Sequence, residues 1–299
     1  MSVIAFVGLG SMGLPMATNL LLKGHEVRGV DLDKQSCAAF IQAGGSILAS
    51  AAEATRDADM LIVMVVNAQQ AEQILTQPDV LSGLKSTGIV CVMATCQPAA
   101  MRHLNTLVQS AGRRFIDAPV SGGVVGAESG TLTIMAATEQ ACFEEAAPVL
   151  KQMGERLFHV GEQPGQGAMV KAVNQLLCGV HIAVTAEAFS LAAKADINPE
   201  LLLEIMSGSA ASSWMLRDRG PRMLQDNPAV SSAVDIFVKD LDIVLSAGKD
   251  VKAALPLAAA AYQMFLTSSG RGDGRADDSQ VIRSYQVLNG TSLTSQPTK

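Results

Sequence analysis

The chain has 299 residues, 48% of them hydrophobic, 17% charged and only 4% aromatic. At about 150 residues per domain it is expected to form two domains, each large enough to bury a core without staples. With 22 Lys+Arg against 28 Asp+Glu the formal net charge is -6, and no basic cluster offsets it. That excludes a nucleic-acid binder working by phosphate neutralisation, and the composition excludes disordered, collagen-like and disulfide-scaffold classes.

The first half alternates short apolar runs with helical patterns. VIAFV at 3–7 reads as a strand, 12–23 as a helix opened by glycines, EVRGVD at 26–31 as a second strand and 34–43 as a second helix. LIVMVV at 61–66, GIVCVM at 88–93 and RRFIDA at 113–118 repeat the strand pattern, and TLTIMAA at 131–137 and RLFHV at 156–160 extend the sheet. Continuous apolar strands separated by helices predict a parallel sheet covered on both faces.

After residue 160 the strands stop. GEQPGQG at 161–167 is a joint rich in breakers, and a long helix over 168–195 follows it. Further helices are expected at 199–208, 213–225, 235–250 and 256–268, then a flexible loop, SSGRGDG at 268–274. A last helix at 277–288, capped by acidic residues, precedes a disordered tail, TSLTSQPTK. The expected architecture is α/β: a dinucleotide-binding domain over 1–162 and an all-helical domain over 163–299, joined by the long helix.

The N-terminus, MSVIAFVGLGSMG, has no basic region ahead of its apolar run, so no signal peptide is expected. The apolar run at 60–66 is far short of the ~20 residues that span a bilayer. Cys37, Cys91, Cys96, Cys142 and Cys178 are odd in number and contain no Cys-x-x-Cys, which suits reduced thiols in the cytoplasm. No metal site is expected, because Cys178 and His181 alone supply too few ligands.

Gly8-Leu9-Gly10-Ser11-Met12-Gly13 follows a strand and opens a helix, the setting that a G-x-G-x-x-G match requires. Gly8 serves the tight turn, Gly10 the approach of a pyrophosphate to the backbone, and Gly13 close helix–strand packing. Asp31 ends the second strand 18 residues past Gly13, where a carboxylate accepts both ribose hydroxyls of NAD and repels a 2′-phosphate. The cofactor is therefore expected to be NAD.

Ser121-Gly122-Gly123 follows Asp117-Ala118-Pro119-Val120 beyond the fifth of these strands. Its backbone N–H groups suit a carboxylate, although the segment by itself is equally a turn. Lys171, Asn174 and Gln175 lie at i, i+3 and i+4 on the long apolar helix, and so share one face. That stripe suits either catalysis or an interdomain hydrogen-bond cluster, and Lys239-Asp240 carries the same ambiguity. His181, Ser212 and Ser213 are further candidates for polar substrate contacts, and Trp214 for a pocket wall; each has a plain structural alternative.

Together, GLGSMGLPMA at 8–17, DAPVSGG at 117–123, GQGAMVKAVNQ at 165–175 and FVKDL at 237–241 resemble the β-hydroxyacid dehydrogenase family along essentially the whole chain. VVNA at 65–68, SSWM at 212–215 and DDSQVI at 277–282 resemble a branch that acts on small sugar acids. The resemblance implies a Rossmann domain, a helical domain that forms a homodimer or homotetramer, and NAD(P)-dependent oxidation of a small hydroxy acid. It makes Lys171 the catalytic lysine, Ser121, Gly122 and Gly123 the carboxylate loop, and Asn174 with Gln175 the substrate-orienting pair. It also implies cofactor contacts at Val66, Asn67, Thr95 and Lys239. Gln175 replaces a second Asn common in the family, and Ala94-Thr95-Cys96-Gln97 departs from a usual Ser/Thr-rich loop.

Overall fold

The computed structural model describes residues 1–292; the greater part of the tail expected to be disordered lies outside the described residues. The chain forms two compact units, one over Met1–Lys171 and a second from Ala172 onward.

The first unit runs β1 (Val3–Val7), α1 (Gly13–Leu22), β2 (Glu26–Val30), α2 (Lys34–Gln42), β3 (Ser46–Ile47), α3 (Ala51–Thr55) and β4 (Met60–Val63). It continues with α4 (Ala68–Leu75), α5 (Val80–Gly83), β5 (Ile89–Val92), α6 (Pro98–Ser110), β6 (Arg114–Asp117) and β7 (Val120–Ser121). α7 (Gly123–Ser129), β8 (Thr133–Ala137), α8 (Gln140–Leu150) and β9 (Arg156–Gly161) complete it. The strand order is β3-β2-β1-β4-β5-β6-β8-β7, with β9 beside β8.

β1, β2, β3, β4, β5 and β6 pair in parallel. Their apolar runs feed two cores by simple alternation. Ile4, Phe6, Ile62 and Cys91 enter one core, and Ala5, Val7, Leu61, Val63, Val90 and Val92 the other. The extension beyond β6 corrects the all-parallel expectation, because β8 is antiparallel to both β6 and β7. The short β7 and tight α7 turn the chain back, so β8 reaches its neighbours from the opposite direction.

α9 (Gln166–Lys194) follows, and the division between the two units falls after Lys171, inside this helix. The first turn of α9 belongs with the sheet because its backbone is hydrogen-bonded to Asp117. By length and composition alone α9 is the one helix among the described residues able to cross a membrane. Its residues Ile182, Ala186 and Phe189 are nevertheless buried within the protein.

The second unit continues with α10 (Pro199–Gly208), α11 (Trp214–Met223), α12 (Val234–Asp250) and α13 (Pro256–Ser268). The segment expected to be a flexible loop is instead a π-helical turn over Ser269–Asp273, kinked at Gly272 with φ +99° and tied down by Ser269 Oγ donating to Asp235 at 2.6 Å. The last helix is also divided, into a 3-10 turn over Asp278–Val281 and α14 (Ile282–Asn289). Asp277, Asp278, Ser279 and Gln280 are all buried there. Arg219 grips both oxygens of Asp278, at 2.6 and 3.0 Å.

Candidate active site

The carboxyl ends of β1, β2, β4, β5 and β6 carry the residues singled out in the first unit, at the edge where open parallel sheets bind ligands. The strand order reverses beside β1, where β4 lies on the side opposite β2. Gly8 has φ +99°, and a Cβ there would lie 2.2 Å from the Met64 carbonyl oxygen. A Cβ on Gly13 would lie 1.9 Å from the Gly8 carbonyl oxygen, so α1 starts hard against the loop. Around Gly10, by contrast, nothing lies within 4 Å of the Cβ position.

α1 has no side-chain cap at its N-terminus and no acidic residue in its first turn, which leaves its N–H dipoles available to an anion. Asp31 Oδ2 accepts the Leu9 N–H at 2.5 Å, while Oδ1 accepts that of Asp33 at 2.7 Å. The carboxylate is thereby fixed to the glycine loop with lone pairs to spare. Leu9 is buried, Ser11 exposed and Met12 half-buried. An open approach at Gly10, an uncapped helix end and a rigid carboxylate fit a dinucleotide.

Val66 is exposed, and its N–H is held by Gln70 Oε1 at 3.0 Å. Asn67 caps α4, its Oδ1 accepting the Gln70 N–H at 2.9 Å, so its amide nitrogen is the group left to meet a ligand. Thr95 is half-buried just after β5.

Ser121 ends β7, and Gly122 and Gly123 follow with φ +133° and +63°, backbone that only glycine adopts without strain. No side chain caps α7, which starts at Gly123. The loop therefore presents backbone donors to an anion.

Lys171 is 7% exposed on α9. Further along this helix, Asn174 Nδ2 donates to Gln175 Oε1 at 2.9 Å and to Cys178 Sγ at 3.2 Å. Gln175 Nε2 in turn donates to Asp240 Oδ2 at 2.5 Å, and Lys239 Nζ to Asp240 Oδ1 at 2.5 Å. α9 and α12 approach closely at Gly179, where a Cβ would lie 2.9 Å from the Leu241 side chain.

Asp240, which the sequence leaves open between catalysis and a hydrogen-bond cluster, is the junction between Gln175 and Lys239. Asp117 carries no signal in the sequence beyond its place in the segment Asp117–Gly123. Ser213 caps α11, Ser212 accepts from Arg217 at 2.6 Å, and Trp214 is half exposed. Among the described residues no group of three His, Cys, Asp or Glu side chains is placed to hold a metal ion.

Comparison with known proteins matches both units. Residues 3–161 match the family described as the NAD binding domain of 6-phosphogluconate dehydrogenase. Residues 165–285 match the NAD-binding domain of NADP-dependent 3-hydroxyisobutyrate dehydrogenase. The L-threonate dehydrogenase of Escherichia coli O6:H1 is 39% identical over 95% of this chain and 95% of its own. The chain belongs to the β-hydroxyacid dehydrogenase family. It is an oxidoreductase with an NAD-type cofactor.

Other members of the family are nearly as similar. The 3-hydroxyisobutyrate dehydrogenase of Pseudomonas aeruginosa is 34% identical over 89% of this chain and 91% of its own. A crystal structure described as 3-hydroxyisobutyrate dehydrogenase from Salmonella typhimurium is 38% identical, covers 94% of this chain and 98% of its own, and superposes with a TM-score of 0.88.

Proposed function

We propose that this dehydrogenase oxidises a small sugar acid, L-threonate, to 2-oxo-tetronate, with NAD as hydride acceptor and Lys171 as general acid/base. The observation that carries the reading is the polar series Lys171, Asn174 and Gln175 on an otherwise apolar helix, with Asn174 donating to Gln175 and Gln175 held by Asp240. The 39% identity to an L-threonate dehydrogenase supports the substrate.

A nicotinamide held at the Gly8–Gly13 loop would supply the acceptor for the hydride of the carbinol carbon. The amine of Lys171 takes the hydroxyl proton, and as an ammonium it stabilises the oxygen in the reverse direction. Ser121 and the N–H groups of Gly122 and Gly123 hold the substrate carboxylate. Asn174 and Gln175 orient the remaining hydroxyls, and their fixed amides favour a polyol acid over an apolar one.

On the cofactor side, the loop from Gly8 to Gly13 receives the pyrophosphate and Asp31 the ribose hydroxyls, which selects NAD over NADP. Val66, Asn67, Thr95 and Lys239 complete the cofactor contacts. We place the protein in the cytoplasm, which suits five cysteines that form no disulfide among the described residues.

Val173, Leu177, Val184 and Leu191 are each at least half exposed along α9. We propose that this apolar stripe meets a second copy of the chain, making a homodimer or homotetramer. Light scattering of the wild type and of Leu177→Asp tests it: a monomeric wild type rejects the assembly.

The assay is NADH appearance at 340 nm over L-threonate, D-erythronate, D-glycerate and 3-hydroxyisobutyrate. A second reading is 3-hydroxyisobutyrate dehydrogenase, which the 38% identical Salmonella structure favours, or tartronate semialdehyde reductase. Higher kcat/KM for 3-hydroxyisobutyrate selects the former; turnover of tartronate semialdehyde with NADH selects the latter. No turnover of any of these acids rejects all three and leaves a cofactor-binding scaffold.

A further inference from the structure

Asp117 is a fully buried carboxyl group to which the mechanism above gives no task. As the last residue of β6 it is paired on both sides, with Val92 of β5 and Ala137 of β8. Its backbone is therefore held from both sides. The side chain points at the start of α9. Gly165 N–H and Ala168 N–H both donate to Oδ2, each at 2.9 Å, which satisfies backbone groups that a helix start otherwise leaves unpaired.

The approach is close enough to dictate the neighbouring residue. A Cβ on Gly167 would lie 2.6 Å from the carbonyl oxygens of both Asp117 and Met135. The first turn of α9 therefore sits directly on the end of β6 and the middle of β8. Lys171 follows Ala168 by three residues, about one helical turn. Beyond Asp117 in the other direction, the chain passes through Pro119 into β7, which ends at Ser121 and is registered on β8.

We propose that Asp117 is a positioning residue: its buried carboxyl group clamps the first turn of α9 to the end of β6, and so fixes Lys171 relative to the Ser121-Gly122-Gly123 loop. Lys171 and the carboxylate loop come from segments about fifty residues apart in sequence, and this one side chain joins them through backbone hydrogen bonds. The second oxygen, Oδ1, is buried without a hydrogen-bond partner among the described residues. Both bonds of the clamp end on Oδ2, so an amide oxygen in its place accepts the same two N–H groups.

The proposal rests on Lys171 being the acid/base, and its test separates the two ideas. Amide exchange over residues 163–170, read by mass spectrometry, needs no substrate; it is expected to quicken in Asp117→Ala and stay near wild type in Asp117→Asn. With the best hydroxy acid from the panel, Asp117→Ala should lower kcat by about 10²-fold, the scale of a small misplacement of a reacting group. Its Kd for NADH should stay within about twofold. Asp117→Asn should keep kcat within about threefold, since its amide oxygen still accepts both N–H groups.

In a Lys171→Ala background, adding Asp117→Ala should cost no further kcat, because the residue acts through the lysine. If Lys171→Ala keeps wild-type kcat, the acid/base assignment fails while the exchange experiment still judges the clamp. Unchanged exchange in Asp117→Ala overturns the clamp; an equal kcat loss with and without Lys171 overturns the positioning role. Should Asp117→Ala not fold, Asp117→Asn decides: protected amides with a kcat as low as that of Lys171→Ala refute the proposal.

Discussion

Gln175 and Asp240 are joined by a 2.5 Å hydrogen bond between α9 and α12, and both side chains are buried, Asp240 to 2% exposure. The same carboxylate receives Lys239 on its other oxygen. One buried anion thus orients an amide expected at the substrate and an ammonium expected at the cofactor. Asp240→Ala should lower kcat/KM by 10- to 100-fold or more and destabilise the second unit by about 1–3 kcal/mol, the cost of leaving a buried amide without its acceptor. Asp240→Asn, which keeps an oxygen for Gln175, should lose less. Steady-state kinetics with urea unfolding of both variants checks the ordering.

Lys171→Ala should reduce kcat by ~10²–10⁴-fold, the range for a positioned acid/base. Affinity for NADH, followed by fluorescence, should be nearly unchanged. A variant retaining more than half of the activity would remove Lys171 from the mechanism.

Asp31→Ala should weaken NAD binding and relax discrimination against NADP, since the 2′-phosphate no longer meets a carboxylate. The glycine loop also loses the bond from Leu9 N–H to Asp31, so binding of both cofactors should be looser than charge alone dictates. The ratio of kcat/KM for NAD and NADP measures the first effect. A wild type that already prefers NADP contradicts the role given to Asp31.

Arg219→Ala should destabilise the second unit by about 3–5 kcal/mol, because it leaves Asp278 as an unpaired buried charge. Arg219→Ala with Asp278→Ala should recover part of the loss. Denaturant midpoints of the single and double variants check this without any assay of activity.

Burial pushes the carboxyl group of Asp117 up to about 7, although the N–H groups of Ala168, Gly165 and Gly167 favour its anion. The folded state therefore holds a proton that the unfolded chain releases near its ordinary value, about 3.9. The sign follows from linkage: this contribution to stability is full below the unfolded pKa and is lost as pH rises from about 4 to 7. Asp117→Asn should flatten the pH dependence of the unfolding free energy in that window. A wild type and variant with parallel profiles would show that Asp117 folds as a fully charged group.

The glycine loop, Asp31 and the strand–helix alternation were legible because each is a local rule: positive φ, close backbone approach, or apolar residues in short continuous runs. VIAFV became β1 with the expected bounds, and the helices at 199–208 and 256–268 match α10 and α13. Local rules failed where a distant partner decides. SSGRGDG reads as a loop by composition, and the bond from Ser269 to Asp235 helps hold it as a π-helical turn. β8 reads as one more strand, and its antiparallel direction follows from the turn made by β7 and α7.

The sequence alone determined a dinucleotide-binding α/β unit followed by helices, together with the residue types of the candidate site, because spacing along one strand or helix suffices for these. Only the tertiary structure decided that Asp117 holds the base of α9 and that Asp240 joins Gln175 to Lys239. Both are buried carboxyl groups whose partners lie on other elements or follow from their register. Burial gives those contacts their strength, and a linear pattern carries no record of what a buried side chain will face.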